Sequence, residues 1–166
     1  MSLCPCRSGL PLEGCCHPYL TGEQQAPTPE RLMRSRFSAF TLHDWPYILQ
    51  TWHSEFRPAC PVAELAAEGE ETQWVSLLVL GSGQDLTTQT GWVDFCAWYR
   101  DETGLHIHHE LSSFVREQEQ WFYTQGKFLP IPAELKLRPN ILCPCGSGIK
   151  YKKCCAIIKC HTSRIL

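Results

Sequence analysis

Gly91-Trp92-Val93-Asp94-Phe95-Cys96-Ala97-Trp98-Tyr99-Arg100 alternates along its length. Val93, Phe95, Ala97 and Tyr99 fall on one parity, and Trp92, Asp94, Cys96 and Trp98 on the other. A strand sends successive side chains to opposite faces, so the stretch predicts a β-strand. Outward from it, Trp74–Leu80 is rich in β-formers, and Leu105–Arg116 gives another strand after the turn residues Asp101–Gly104. Gln120–Thr124 predicts a fourth, short strand before Gln125-Gly126. Upstream the period is 3.6. Thr28 can cap a helix, Pro29 suits its first position and Glu30 its first turn, and Met33, Phe37 and Phe40 follow at helical spacing. Asp44 can cap a second helix with Trp45, Ile48, Leu49 and Trp52 on one stripe; Pro61 can start a third through Val62, Leu65 and Ala66, which Gly69 ends. Helices first and a meander of about four strands after them predict an α+β fold. Its helices pack on one face of a curved antiparallel sheet, whose concave side can form a pocket.

Both flanks carry the same cysteine pattern. Cys4-Pro5-Cys6-Arg7-Ser8-Gly9 leads to Cys15-Cys16, and Cys143-Pro144-Cys145-Gly146-Ser147-Gly148 leads to Cys154-Cys155. Eight of the 11 cysteines belong to this C-P-C-x-S-G-x5-C-C repeat. Four thiolates suit a tetrahedral zinc ion, and the Ser-Gly steps let the backbone curl its N–H groups toward sulfur. The expected ligands are Cys4, Cys6, Cys15 and Cys16 for one ion and Cys143, Cys145, Cys154 and Cys155 for a second. His17 stands ready as an alternative to Cys16, and Cys160 or His161 as an alternative in the second set. Such sites are closed, which points to a structural role, with metal binding supplying folding energy that a short polar segment lacks.

Composition bounds the rest. The chain has 166 residues, 43% hydrophobic, with six Trp and seven Phe, enough for one core with small appendages. No apolar run approaches a membrane span, and the N-terminus has no signal-peptide character. A cytosolic location is therefore expected, where thiols stay reduced and zinc is favoured over disulfides. Residues 1–135 carry 8 Lys/Arg against 17 Asp/Glu, whereas residues 136–166 carry 7 Lys/Arg and no acid. A basic tail can attract an acidic protein, a ribosome or nucleic acid, or can offset the −2 charge of a four-thiolate zinc centre. The expected domains are 1–20 (first cysteine segment), 28–138 (α+β body) and 139–166 (second segment with the basic tail), with 21–27 as a polar linker.

Cys143-Pro144-Cys145-Gly146-Ser147-Gly148-Ile149-Lys150-Tyr151-Lys152-Lys153-Cys154-Cys155 resembles the SEC-C motif, the zinc-binding segment at the C-terminus of the SecA preprotein-translocation ATPase. The first copy has Arg7 at the glycine position and lacks the lysines. The wider layout is similar to the YchJ-like family of bacterial proteins, through 15–40, Tyr47–His53, Gly91–Tyr99, His108–Phe114, Trp121–Gly126 and the terminal motif. The resemblance implies an NTF2-like (cystatin-like) middle domain and zinc-binding segments, with no established activity. The tail 156–166 is longer than the motif requires. By analogy with the related segment of SecA, the second motif is expected to dock a protein or ribosomal partner.

An enzyme or small-molecule binder is the competing expectation. Glu110 and Ser112 share a strand face with His106 and His108, while His109 faces the other way, and Asp94 lies on the Trp92/Cys96 face. Glu110 or Asp94 as general base with a histidine partner would suit proton abstraction of the isomerase or dehydratase type. The competing expectation for this polar row is a solvent-exposed face. His106 and His108 could share a metal. Of Arg34 and Arg36 one should face the sheet, paired with an acid such as Glu110. Trp45, Trp52, Trp92, Trp98 and Trp121 read as core, and Cys60 and Cys96 as structural thiols. Direct nucleic-acid binding would use Lys150, Lys152, Lys153 and Lys159, with Tyr151 as the stacking ring.

Overall fold

A computed structural model describes residues 2–59 and 62–157. Four antiparallel strands, β1 (Gln73–Asp85), β2 (Thr90–Asp101), β3 (Gly104–Glu117) and β4 (Gln120–Phe128), form one sheet in the order β1-β2-β3-β4. Four helices precede them: α1 (His17–Leu20), α2 (Pro29–Leu42), α3 (Trp45–Gln50) and α4 (Val62–Gly69). Thr28 caps α2 by accepting the Arg31 N–H, and Asp44 caps α3 by accepting the Tyr47 N–H. These are the capping residues the sequence indicates; Pro61 and Cys60 lie outside the described residues. No helix among the described residues is long and apolar enough to cross a membrane.

The strands run further than their apolar patterns. β1 continues through Gly81-Ser82-Gly83, and β4 continues past Gly126 to Phe128. Both extensions are carried by ladder pairing with the neighbouring strand, Ser82 with Val93 and Glu110 with Phe128. Pairing needs only backbone groups, so it outlasts the hydrophobic alternation.

Core packing is two-sided. Val93, Phe95 and Ala97 of β2 pack inward with Leu32, Met33 and Phe37 of α2, together with Phe114 and Trp121. The other parity of the same strand is also covered at one end. Cys96 and Trp98 are buried with Leu105, Cys143 and Cys155, and Leu135, Leu137 and Tyr151 pack against them. The second cysteine segment thus lies on the outer face of the sheet. His109 helps to hold the chain leading there. Its carbonyl accepts the Leu129 N–H at 2.9 Å, its Nδ1 lies 2.6 Å from the Pro130 carbonyl oxygen, and its Nε2 lies 2.8 Å from Asp94 Oδ1.

This partial covering corrects the tryptophan expectation. Trp45, Trp98 and Trp121 are buried, but Trp92 is 44% exposed. It sits on the outer face beyond the end that the C-terminal segment covers. Trp52 is half-buried, its Nε1 donating to the Thr124 carbonyl.

Trp98→Ala should remove the anchor of the outer cluster. The expected loss is about 3–5 kcal/mol in denaturant unfolding, with faster proteolytic cleavage within 139–157 than in the wild type. Unchanged cleavage would show that the segment is held by something other than this packing.

Candidate metal centres

Each cysteine motif folds into the same knuckle. The Cys4 N–H donates to the Leu10 carbonyl at 2.8 Å, and the Cys143 N–H donates to the Ile149 carbonyl at 2.8 Å. The N–H at the fourth motif position bonds back to the first cysteine, Arg7 to Cys4 O and Gly146 to Cys143 O, both at 3.1 Å. Ser8 Oγ accepts the Leu10 N–H, which leaves its proton for Cys15 Sγ, 3.1 Å away. Ser147 does the same between the Ile149 N–H and Cys154 Sγ at 3.2 Å. Short 3-10 turns, Leu12–Gly14 and Tyr151–Lys153, return the chain to the paired cysteines.

The four sulfurs of Cys4, Cys6, Cys15 and Cys16 all lie within 4.8 Å of one another, as do those of Cys143, Cys145, Cys154 and Cys155. Individual separations are 3.6 Å for Cys6–Cys15, 3.9 Å for Cys15–Cys16 and 3.5 Å for Cys145–Cys154. A disulfide needs about 2.05 Å, whereas tetrahedral Zn–S bonds of about 2.3 Å place sulfurs nearly 4 Å apart. The donor sets therefore fit a metal ion. Cys16, the adjacent cysteine expected as the fourth ligand, belongs to the first quartet, while its alternative His17 is exposed at the start of α1 and outside it. Cys160 and His161 lie outside the described residues.

Sulfurs this close compete for protons. The neighbouring thiols of Cys16 and Cys4, donating to it, hold Cys6 far below the ordinary thiol range, while Cys16 is pushed well above it. In the second quartet burial pushes Cys145 upward, but the Ser147 hydroxyl and N–H and the neighbouring thiols bring it to about 6. Burial first, then Cys143, pushes Cys155 up to about 12. Four such sulfurs cannot all ionise without a cation among them, and a divalent ion resolves the conflict.

Around the quartets the copies differ. The first is buried at every cysteine and belongs to the main core. Ser38 Oγ of α2 lies 3.5 Å from Cys4 Sγ, and Arg34 of α2, also paired with Glu30, donates to the Cys6 carbonyl at 3.2 Å. The second sits against β2, where Arg100 Nη2 donates to Cys155 Sγ at 2.6 Å. Arg7 joins the two. Its Nη2 donates to the Val75 carbonyl at 3.1 Å and to the Cys145 carbonyl at 2.6 Å. Arg7 and its counterpart Gly146 both have positive φ, 59° and 79°. A Cβ on Gly146 would come within 2.6 Å of Arg7 Nη1. Arg7, Arg34, Ser38 and Arg100 are the site residues that sequence reading missed. Of these, only Arg7, by breaking the repeat, left a visible signal.

Most of the polar row of β3 is not a solvent-exposed face. Ser112 is buried, and His108 and Glu110 line a cavity of about 190 Å³ between α2 and the sheet, with Arg36, Phe40, Trp52 and Trp74 in its walls. His106, at the end of the row, is partly exposed. The face that carries Glu110 packs against α2, so Glu110 points inward. Glu110 accepts from Ser112 Oγ at 2.6 Å and Tyr123 OH at 3.2 Å on Oε1, and His108 Nε2 lies 2.8 Å from its Oε2. Burial raises its pKa, but His108, Ser112 and Tyr123 outweigh burial and hold it below the ordinary carboxylate value. A carboxylate held low is a weak base. Asp94 is on the outer face with His109, apart from this cavity. His106 is engaged by Asp101 at 3.0 Å and by Thr103. Among the described residues the metal-capable groups are the two quartets, with neither His106 nor His108 in one. Arg36 is the inward-facing arginine, yet its Nη1 donates to the Ile48 carbonyl and Thr51 Oγ1 rather than to Glu110. Tyr123 stands between them: Arg36 Cζ is 4.6 Å from its ring centroid, and its hydroxyl donates to Glu110.

An NTF2-like α+β body with a C-terminal SEC-C segment, and a cysteine knuckle of like geometry at the N-terminal end, is the class that this fold and these sites define. Residues 28–126 match the family described as the YchJ middle NTF2-like domain, and residues 140–156 match the SEC-C motif. A UPF0225 protein of Pectobacterium carotovorum subsp. carotovorum (strain PC1) is 39% identical over 155 residues, 92% of this chain and 96% of that one. The chain belongs to this YchJ-like, UPF0225 family. The solution structure of a SEC-C motif containing protein from Rhodopseudomonas palustris superposes with a TM-score of 0.71 at 34% identity, covering 76% of this chain and 98% of that one. The crystal structure of a SEC-C motif containing protein from Psychrobacter arcticus gives 0.66 at 30% identity, covering 92% and 94%.

Because the native Glu110 pKa lies below its unfolded value of about 4.3, its contribution to stability is present above that pH. It is lost as pH falls through the native value. Unfolding free energy measured between about pH 6 and pH 3.5 should therefore fall less steeply in Glu110→Gln than in the wild type. Identical slopes would refute the assignment.

Proposed function

We propose that this protein is a cytoplasmic zinc-binding adaptor that docks an acidic protein or ribonucleoprotein partner through its second cysteine segment. In this reading Cys4, Cys6, Cys15 and Cys16 hold one zinc ion, and Cys143, Cys145, Cys154 and Cys155 hold another. Neither quartet leaves an open coordination position, so both ions are structural. Residues 1–20 act as a clip on the 28–138 body, and residues 139–166 present the docking surface.

The observation that carries the proposal is the surface of the second knuckle. Leu142, Ile149 and Ile157 are exposed by 69%, 48% and 68%, beside the exposed Lys150, Lys152 and Lys153. Apolar side chains ringed by one sign of charge suit a partner of opposite charge. The matching face of the first knuckle has no lysines. Tyr151 is half-buried against the outer cluster. The ring expected to stack on a base is thus engaged elsewhere, which favours a protein surface over bare nucleic acid.

Metal analysis of protein purified reduced and without chelator should give two zinc ions per chain, and one after Cys143→Ser with Cys154→Ser. No zinc in the native protein would remove the proposal. Affinity capture should then compare the intact chain, a 1–138 truncation and Lys150→Glu/Lys152→Glu/Lys153→Glu, with and without ribonuclease. The truncation uncovers Cys96 and Trp98, so the charge-reversed variant is the cleaner comparison. Both should lose the specific partner set; retention of that set by both would exclude the second knuckle as the docking element.

A further inference from the structure

The cavity over β3 holds a buried cation that, among the described residues, no carboxylate contacts directly. Arg36 is 2% exposed. Its bonding partners, the Ile48 carbonyl and the Thr51 hydroxyl, are neutral, and among the described residues it forms no ion pair. Burial lowers its pKa to about 10, which leaves it cationic at neutral pH. The rings of Trp52 and Tyr123 flank the guanidinium, at 5.6 and 4.6 Å from Cζ. Ring faces attract a cation but do not neutralise it. Glu110 attracts the guanidinium across Tyr123 but does not touch it: its oxygens are turned to Ser112, Tyr123 and His108, so no carboxylate pairs with Arg36 directly.

The remainder of the wall is apolar. Met33, Phe37, Phe40, Trp74 and Phe95 enclose a volume of about 190 Å³. Pockets for drug-sized ligands begin near 300 Å³, so this one matches a single ring with one small substituent. A desolvated guanidinium recognises a carboxylate more strongly than any neutral group, by paired charge-assisted hydrogen bonds. An aliphatic amine is the wrong occupant, because its ammonium would be repelled by the buried Arg36 cation.

We propose that the cavity is a binding site for a small single-ring carboxylic acid, its carboxylate at Arg36 and its ring between the aromatic walls. Such a site lies apart from the second cysteine knuckle, so ligand binding and docking are separable. Glu110 and His108 form the polar end of the cavity, where a hydroxyl or amide on the ring would be met. Phe128, exposed by 74% with its ring 5.1 Å from that of His108, marks the rim.

The test uses the intact zinc-loaded protein and three probes of one size: benzoate, benzyl alcohol and benzylamine. Indole N–H signals of Trp52 and Trp74, followed by NMR during titration, report occupancy. Benzoate should shift them saturably and bind at least about tenfold more tightly than benzyl alcohol, and benzylamine should not compete. Arg36→Gln should abolish the benzoate preference, whereas Arg36→Lys should keep part of it. Should Arg36→Gln fail to fold, the wild-type comparison still decides. Equal binding of benzoate and benzyl alcohol, tighter binding of benzylamine, or no saturation by benzoate at roughly 10 mM would each overturn the proposal.

Discussion

Strand β2 is apolar on both faces, and the rest of the molecule answers to that. Val93, Phe95 and Ala97 require a cover on one side, Cys96 and Trp98 on the other. Burying one large apolar side chain contributes about 1.5–3 kcal/mol, so neither face can be left bare. The helices that precede the sheet provide the first cover. They are too short and too few to wrap round to the second. The chain that follows the sheet does so instead, passing under His109 and ending in a cysteine knuckle whose own sulfurs complete the outer cluster. The terminal segment is thus an integral layer of the fold.

The two knuckles carry the same donor geometry in different electrostatic settings. The first is enclosed, with Ser38 beside Cys4 and Arg34 on the Cys6 carbonyl. The second is half-open and met by Arg100 at Cys155. A quartet of thiolates around a divalent ion keeps a net negative charge, so positive groups gather near it. Close to β2 this is one arginine. Further out are the lysines, exposed beside apolar residues, where their charge is available to another molecule.

Much of this was legible in the sequence, and the gaps have physical causes. The alternation of Gly91–Arg100 and the caps at Thr28 and Asp44 located β2, α2 and α3, because local periodicity and capping act within a few residues. The cysteine repeat located the two quartets, since spacing alone decides which sulfurs can converge. What lay beyond reach was which face of the sheet each row would meet. Alternation cannot distinguish Trp92 from Trp98, yet the end of the outer face on which each sits decides its exposure. The row of Glu110 and Ser112 reads as a solvated face until α2 is known to pack against it. Arg36 similarly promised an ion pair with Glu110; only the placement of Tyr123 between them shows why none forms.

Arg7 and Gly146 occupy equivalent positions in the two copies, and the arginine of one reaches across the seam to the carbonyl beside the other. The space that its guanidinium uses is the space that a side chain on Gly146 would need. The copies are therefore locked into complementary, non-interchangeable roles. Were recombination to homogenise the repeat, either outcome would be harmful: two arginines would collide at the seam, and two glycines would leave the halves unlatched. The asymmetry at that position is what lets two copies of one knuckle sit side by side, and it marks the sequence difference between them that the seam depends on most.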